Sequence, residues 1–249
     1  MGISLKQAFI FVPQDKNWLP KILIGGLLLF FPAFAFIFPG IYRMLFNPVN
    51  YYWITLFALL TLTCLLAVSG YFFKVVHNRI VHERGKLPSW KFFTYFIHIG
   101  LKSYIGGFIF SIPFIILFAI LAFLAPLSIT EESIPYIATG VVLHIIYTAL
   151  YIMLALNFSL DFKIQSFLNI KKAYSLIKHN IINYIILVCY CVLVSVCMMI
   201  LAILLINGQI LGLLLPFVSF YICLVFSDLF AQFGVNMGKE IYKEANCYS

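Results

Sequence analysis

Charged residues are missing from five long stretches of this chain. Residues 22–42, 44–73, 103–130, 133–160 and 180–227 contain no Asp, Glu, Lys or Arg. A helix that crosses a bilayer needs about 20 consecutive, mostly apolar residues. The first four stretches hold one such helix each. The fifth is long enough for two, and Asn207-Gly208 near its middle is a strong turn signal. The pattern predicts six helices, at about 22–42, 51–73, 104–126, 134–160, 181–206 and 210–233. Barrel strands would alternate in polarity over about ten residues. These runs are continuous and rich in Leu, Ile and Phe, so they read as helices. Pro32, Pro39, Pro113 and Pro216 fall inside them, and kinks are expected there.

Composition sharpens the class. Of 249 residues 64% are hydrophobic and 10% charged, against about 45–50% and about 25% in soluble domains. A mean hydropathy of +1.07 agrees. A soluble enzyme, a disordered regulator and a disulfide-stapled secreted domain are excluded. Cys64, Cys189, Cys191, Cys197 and Cys223 lie inside apolar runs and read as small packing residues; Cys247 lies in the polar tail. The first apolar run starts at Ile22, after Lys6, Asp15, Lys16 and Lys21, and is the length of a span rather than of a cleavable signal.

The net charge of +8 does not point to nucleic acid, because the basic residues flank the apolar runs. Lys6, Lys16 and Lys21 precede the first helix. Lys74, Arg79, Arg84, Lys86, Lys91 and Lys102 lie between the second and third. Lys163, Lys171, Lys172 and Lys178 lie between the fourth and fifth, and Lys239 and Lys243 follow the sixth. With six spans all of these face one side, and Arg43 alone faces the other, with Glu131 and Glu132. Positively charged loops stay inside. The expected placement is a multi-pass protein of the cytoplasmic (inner) membrane with both termini cytoplasmic and anionic lipids against the basic side.

A threefold repeat is visible within one membrane domain, with units at about 1–80, 81–160 and 161–249. Lys21, Ile24-Gly25-Gly26 and Pro32 recur at the same spacing as Lys102, Ile105-Gly106-Gly107 and Pro113. A weaker third copy, Asn183-Tyr184-Ile185, echoes Ser103-Tyr104-Ile105. Each unit reads as a short cytoplasmic interfacial helix followed by a two-helix hairpin. The apolar arcs are Leu5, Phe9 and Val12, stopped by Pro13; then Trp90, Phe93, Ile97 and Leu101; then Phe167, Ile170, Tyr174 and Ile177.

Several short motifs accompany this plan. Asp15-Lys16-Asn17-Trp18 leads into Lys21 and the first glycine pair. Gly70-Tyr71, Lys74, Asn78-Arg79 and Leu87-Pro88-Ser89-Trp90 follow, and later Lys171-Lys172-Ala173-Tyr174, Asn180 and Tyr184. In these the chain resembles the prokaryotic membrane-protein family known as domain of unknown function 4013. The resemblance implies a polytopic membrane protein and supplies no catalytic residues. Where members continue Leu-Pro-x-Trp with acidic residues, this chain has Lys91-Phe92-Phe93.

No phosphate-binding glycine loop or nucleophile elbow is present, and His77 and His82 are spaced too far apart for a zinc-binding helix face. No catalytic, cofactor or metal site is expected. The candidate residues are the polar ones inside the spans. His144, Tyr147, Thr148 and Tyr151 share a face of the fourth helix with Tyr136 and Gly140, a face expected to turn inward. Asp228 lies late in the sixth helix, near its cytoplasmic edge, where an interfacial carboxylate beside basic residues is expected. The expected function is a non-enzymatic scaffold, assembly or accessory component of a membrane complex, with a membrane-protein partner or a second copy. The alternative is a small transporter or lipid-handling permease with a polar path along the fourth helix.

Overall fold

The structure, a computed structural model, describes residues 2–37, 51–82, 86–124, 134–178, 180–207 and 211–247. Among these residues the regular elements are helices, with no strand. They are α1 (Leu5–Phe11), α2 (Trp18–Ile37), α3 (Tyr51–His82), α4 (Phe93–Leu124), α5 (Ile134–Asp161), α6 (Ile164–Leu168), α7 (Ile170–Lys178), α8 (Ile181–Asn207) and α9 (Leu215–Cys247). Tight 3-10 turns at Val12–Gln14, Trp90–Phe92 and Leu211–Leu214 lead out of α1 and into α4 and α9.

Among the described residues, five stretches are long and apolar enough to cross a membrane: Ile54–Val81, Trp90–Leu124, Ala138–Asp161, Ile181–Leu204 and Gly212–Asn236. The expected first span, 22–42, corresponds to α2, whose apolar stretch Trp18–Ala33 is shorter. Its expected end past Ile37, with Pro39 and Arg43, lies outside the described residues, as do Arg84, Glu131, Glu132 and Gly208.

The helices overrun the uncharged windows. α3 continues to His82, so Lys74 and Arg79 ride on the helix rather than in a loop. A charge ends the apolar run but does not break a helix. The second expected interfacial segment is the first turns of α4, because no proline separates Trp90 from the span. Pro32 and Pro113 lie within α2 and α4, which run on through them. Pro216 is instead the second residue of α9, where its missing N–H removes no helical bond.

The expected apolar arcs are divided between buried and exposed positions. In α1 the buried residues are Ala8 and Phe11, followed by Val12, while Phe9 is exposed. At the start of α4 Phe96, Ile99 and Gly100 are buried and Leu101 is exposed. Phe167 sits on α6, cut off from α7 by Asn169, and α7 buries Ala173 and Ile177 while Ile170 and Tyr174 stay exposed.

The chain forms two compact units, Met1–Leu101 with His179–Ser249, and Lys102–Lys178. In the first, α9 packs along α2 and α3, which also meet each other, and α1 and α8 lie against α9. Tyr71, Phe96, Phe220 and Leu224 are among the fully buried residues at its centre. In the second, α5 packs against α6 and α7, with Phe158 and Phe167 in ring contact at 4.9 Å. α5 ends at Phe162 in a left-handed conformation, φ 54°, and the Phe162 N–H donates to the Phe158 carbonyl at 2.8 Å. Such a residue closes a helix C-terminus, usually as glycine.

Glycines set the closest approaches. A Cβ on Gly70 would strike the Phe96 carbonyl, and one on Gly100 the Leu66 carbonyl, so α3 and α4 cross backbone to backbone. Small residues permit such crossings in lipid-facing helices. Gly25 and Gly26 seat the rings of Phe220 and Phe217, and Gly106 and Gly107 face Phe167 and Tyr151. Gly70→Ala or Gly100→Ala should cost about 1–3 kcal/mol through overpacking, because the obstacle is backbone. Gly2→Ala meets nothing and should be neutral. Thermal unfolding of the purified protein in detergent checks the contrast; equal stability of all three variants would rule out the close crossing.

Candidate functional site

Asp228 on α9 is fully buried. Its Oδ1 accepts from Arg79 Nε at 2.8 Å and lies 2.7 Å from Arg79 Nη2 on α3. Its Oδ2 accepts from Gln232 Nε2, one helical turn on, at 2.8 Å. Gln232 reaches further: its Oε1 accepts from the Ser4 N–H at 2.8 Å, and its Nε2 donates to the Ser4 carbonyl at 3.1 Å. The Arg79 guanidinium lies over the Phe11 ring at 4.4 Å, within cation–π range. Asp228 is therefore enclosed by protein, not turned to headgroups, and it ties α3, α9 and α1 together.

A second polar knot gathers motif residues far apart in the chain. Asp15 follows the 3-10 turn after Pro13, which places its side chain back on the start of α2. Its Oδ1 accepts from the Asn17 N–H at 2.8 Å, and its Oδ2 from Lys21 Nζ at 2.8 Å and the Leu87 N–H at 2.9 Å. Lys21 Nζ also donates to the Leu87 carbonyl at 2.6 Å. Trp90 Nε1 donates to the Lys21 carbonyl at 3.1 Å, and Tyr71 Oη to the Pro88 carbonyl at 2.9 Å. The Tyr71 and Trp90 rings stack at 4.3 Å. Burial opposes ionisation of Asp15, but the hydrogen bonds from Lys21, Asn17 and Leu87 and the Lys21 charge outweigh it. Its carboxyl is held below the usual value of 3.8.

The second unit carries the fourth-helix candidates. Tyr147 and Tyr151 are half-buried with rings 5.9 Å apart. Tyr147 Oη is 3.0 Å from Ser111 Oγ on α4, its ring stacks on Phe110 at 5.8 Å, and Tyr151 lies against Gly107. Thr148 is half-buried. His144 is exposed, 6.5 Å from the Tyr147 ring. The expected inward face is therefore filled by the two tyrosines, and His144 does not share it. At the end of α5, Ser166 Oγ donates to Asp161 at 2.7 Å, Asp161 Oδ1 accepts from the Lys163 N–H at 3.0 Å, and Asn157 Nδ2 donates to the Ser166 carbonyl at 2.7 Å.

Sequence reasoning selected Asp228 but not Arg79, Gln232 or Ser4, and it read Asp15, Lys21, Tyr71 and Trp90 as motif, charge and arc residues without bringing them together. A usable signal existed: Arg79 and Asp228 are opposite charges at the same end of neighbouring apolar helices. No group of three or more His, Cys, Asp or Glu able to hold a metal occurs among the described residues.

Removing one partner of a buried ion pair costs about 3–5 kcal/mol, whereas replacing both with apolar residues can be nearly neutral. Asp228→Leu should therefore destabilise the protein strongly. Adding Arg79→Met should restore much of the loss in a detergent unfolding titration; additive losses would show that the two side chains are not coupled. At Asp15 the folded pKa lies below the unfolded one. Its stabilising contribution is present above about pH 4 and is lost as pH falls through the depressed value. Asp15→Asn should flatten that acid limb of stability against pH, and an unchanged limb would exclude Asp15 as its source.

Residues 53–207 match the family described as a protein of unknown function, DUF4013. The match includes Tyr71, Arg79 and Leu87-Pro88-Ser89-Trp90, and leaves out Asp15, Lys21 and Asp228. No curated protein and no solved structure matches the chain. The matched stretch takes in more than half of the sequence, and the chain is a member of the DUF4013 family.

Proposed function

We propose that this protein is a non-catalytic, six-span component of a prokaryotic cytoplasmic membrane, acting as a scaffold or accessory subunit of a membrane complex. The observation that carries this reading is the use made of its carboxylates. Asp15, Asp161 and Asp228 are the acidic side chains the structure describes, and both oxygens of each already accept hydrogen bonds from named protein donors. At Asp15 and Asp228 the side chain is also nearly closed to solvent, at 7% and 0% exposure, as suits a structural group. These carboxylates fasten helices together.

The basic residues support an orientation with both termini cytoplasmic. In that frame α2 is the first span, and α1 and α7 are interfacial helices at the cytoplasmic surface. The two glycine pairs, each facing aromatic rings, support the reading of an internal repeat.

One observation favours a permease as the second reading. Ser111, Tyr147 and Tyr151 line a hydroxyl-bearing seam between α4 and α5, with His144 a turn away. Histidine can change charge near neutral pH, so a transport path would depend on it.

Purification of the tagged full chain from its native membrane in mild detergent separates the readings. A stoichiometric protein partner is expected, unaffected by His144→Gln. A lone protein with bound lipid, together with an activity lost in His144→Gln, would replace the scaffold with the permease. In a cysteine-free background, a cysteine at Ser133 or Asn207 should react with an impermeant reagent outside intact cells, while one at Ser89 or Ser175, both exposed on the protein surface, is protected. Labelling of Ser175 from outside would overturn the six-span orientation.

A further inference from the structure

We infer that the α6–α7 corner is a docking surface for anionic phospholipid, recognised through its phosphate-bearing headgroup and the adjoining acyl chain. The inference rests on the proposed placement of this segment at the cytoplasmic membrane surface.

The surface is built in three strips around α7. Ala173 and Ile177 are buried, and α7 packs against α5, the helix that leads into this corner. At about 100° per residue, Ile170 and Tyr174 come next around the helix, and they are 49% and 57% exposed. Lys178 and Lys171 follow, with Lys172 beyond them, all exposed. Apolar surface that the protein leaves uncovered therefore runs directly into a row of ammonium groups. A helix wholly in water has no use for exposed Ile170 and Tyr174. A helix at the boundary of a bilayer places them among acyl chains and lets the lysines reach headgroups.

The corner adds a seat. An open groove of about 460 Å³ is lined by Gln165, Leu168, Asn169, Ile170 and Lys171. Leu168 is 49% exposed. Its lining combines apolar Leu168 and Ile170 with polar Gln165, Asn169 and Lys171, the mixture that suits the junction between a lipid's glycerol-phosphate and its chains. Asn169 Oδ1 is taken up capping the Lys172 N–H at 2.9 Å, which leaves its amide N–H groups as donors. The local charge is one-sided. Residues 161–178 hold four lysines, Lys163, Lys171, Lys172 and Lys178, against one acidic residue, Asp161, which Ser166 already holds and which approaches Lys172 only to 4.0 Å. Charge complementarity selects an anionic over a zwitterionic leaflet, by roughly fivefold for each lysine at the surface.

The test uses the full chain with Tyr174→Trp, reconstituted in nanodiscs of phosphatidylcholine containing one quarter phosphatidylglycerol. Bromine labels are carried on the acyl chains of one lipid class at a time. The readout is quenching of the emission that this variant has in excess of its parent, which holds Trp18, Trp53 and Trp90. Brominated phosphatidylglycerol should quench at least fivefold more per mole fraction than brominated phosphatidylcholine. Adding Lys171→Gln, Lys172→Gln and Lys178→Gln, all at exposed positions, should bring the two lipids level. Equal quenching by both lipids before the lysines are changed would overturn the headgroup proposal and leave the interfacial placement standing. Absence of quenching by either would overturn both, and would point to an aqueous or protein-covered surface.

Discussion

The carboxylate of Asp228 has to find a cation inside the protein, and the first unit is arranged around that requirement. Between helices in lipid the hydrophobic effect supplies no preference, because lipid chains are as apolar as leucine. A buried carboxylate without a partner would cost several kcal/mol. Pairing it with Arg79 fixes the register of α9 on α3. Gln232, one turn on, is then placed to grip the Ser4 backbone, and Phe11 covers the guanidinium. Tyr221 completes the attachment of α1 by donating to the Phe9 carbonyl at 2.8 Å. One electrostatic demand thereby positions two long helices and an N-terminal segment.

Span positions were legible in the sequence because charge marks them: nearly every uncharged window became a helix. The faces of those helices were not legible. Where a helix is apolar all round, the hydrophobic pattern does not separate protein-facing from lipid-facing residues. Size does not separate them either. Ala8, Gly70, Gly100 and Ala173 lie at buried contacts, but so do the large Tyr71, Phe96 and Phe220, while Phe9, Leu101, Ile170 and Tyr174 are exposed. The arcs drawn from large apolar residues are therefore divided between positions covered by protein and positions left exposed.

The same physics explains the candidate site. A lone acid in an apolar run stands out, so Asp228 was found. Arg79 did not, because a basic residue past the end of an apolar run has an ordinary explanation as a topology signal. Lys21 carries a double duty of this kind. It adds to the basic asymmetry, and it bridges Asp15 to the Leu87 backbone. The short motifs acquire a common reason in that knot: Asp15, Lys21, Tyr71 and Leu87-Pro88-Ser89-Trp90 meet in one place. His144 was found by the rule that found Asp228, and it lies exposed, so rarity of polar residues in a span locates them without saying which way they turn.

The distance along the chain between the two halves of the Asp228 site bears on how the protein is made. Arg79 and Asp228 are 149 positions apart, and Ser4 and Gln232 are 228 apart. At about 5–20 residues per second of synthesis, Arg79 waits on the order of ten seconds for its carboxylate. The N-terminal segment waits longer for Gln232. During that interval Arg79 lacks the Asp228 carboxylate, and Ser4 lacks the Gln232 amide that holds its backbone. The polar end of α3 would in that period favour the insertion machinery, a chaperone or the headgroup zone over its final neighbours. Closing of the ion pair then waits on delivery of α9, so one late helix locks in place segments made well before it.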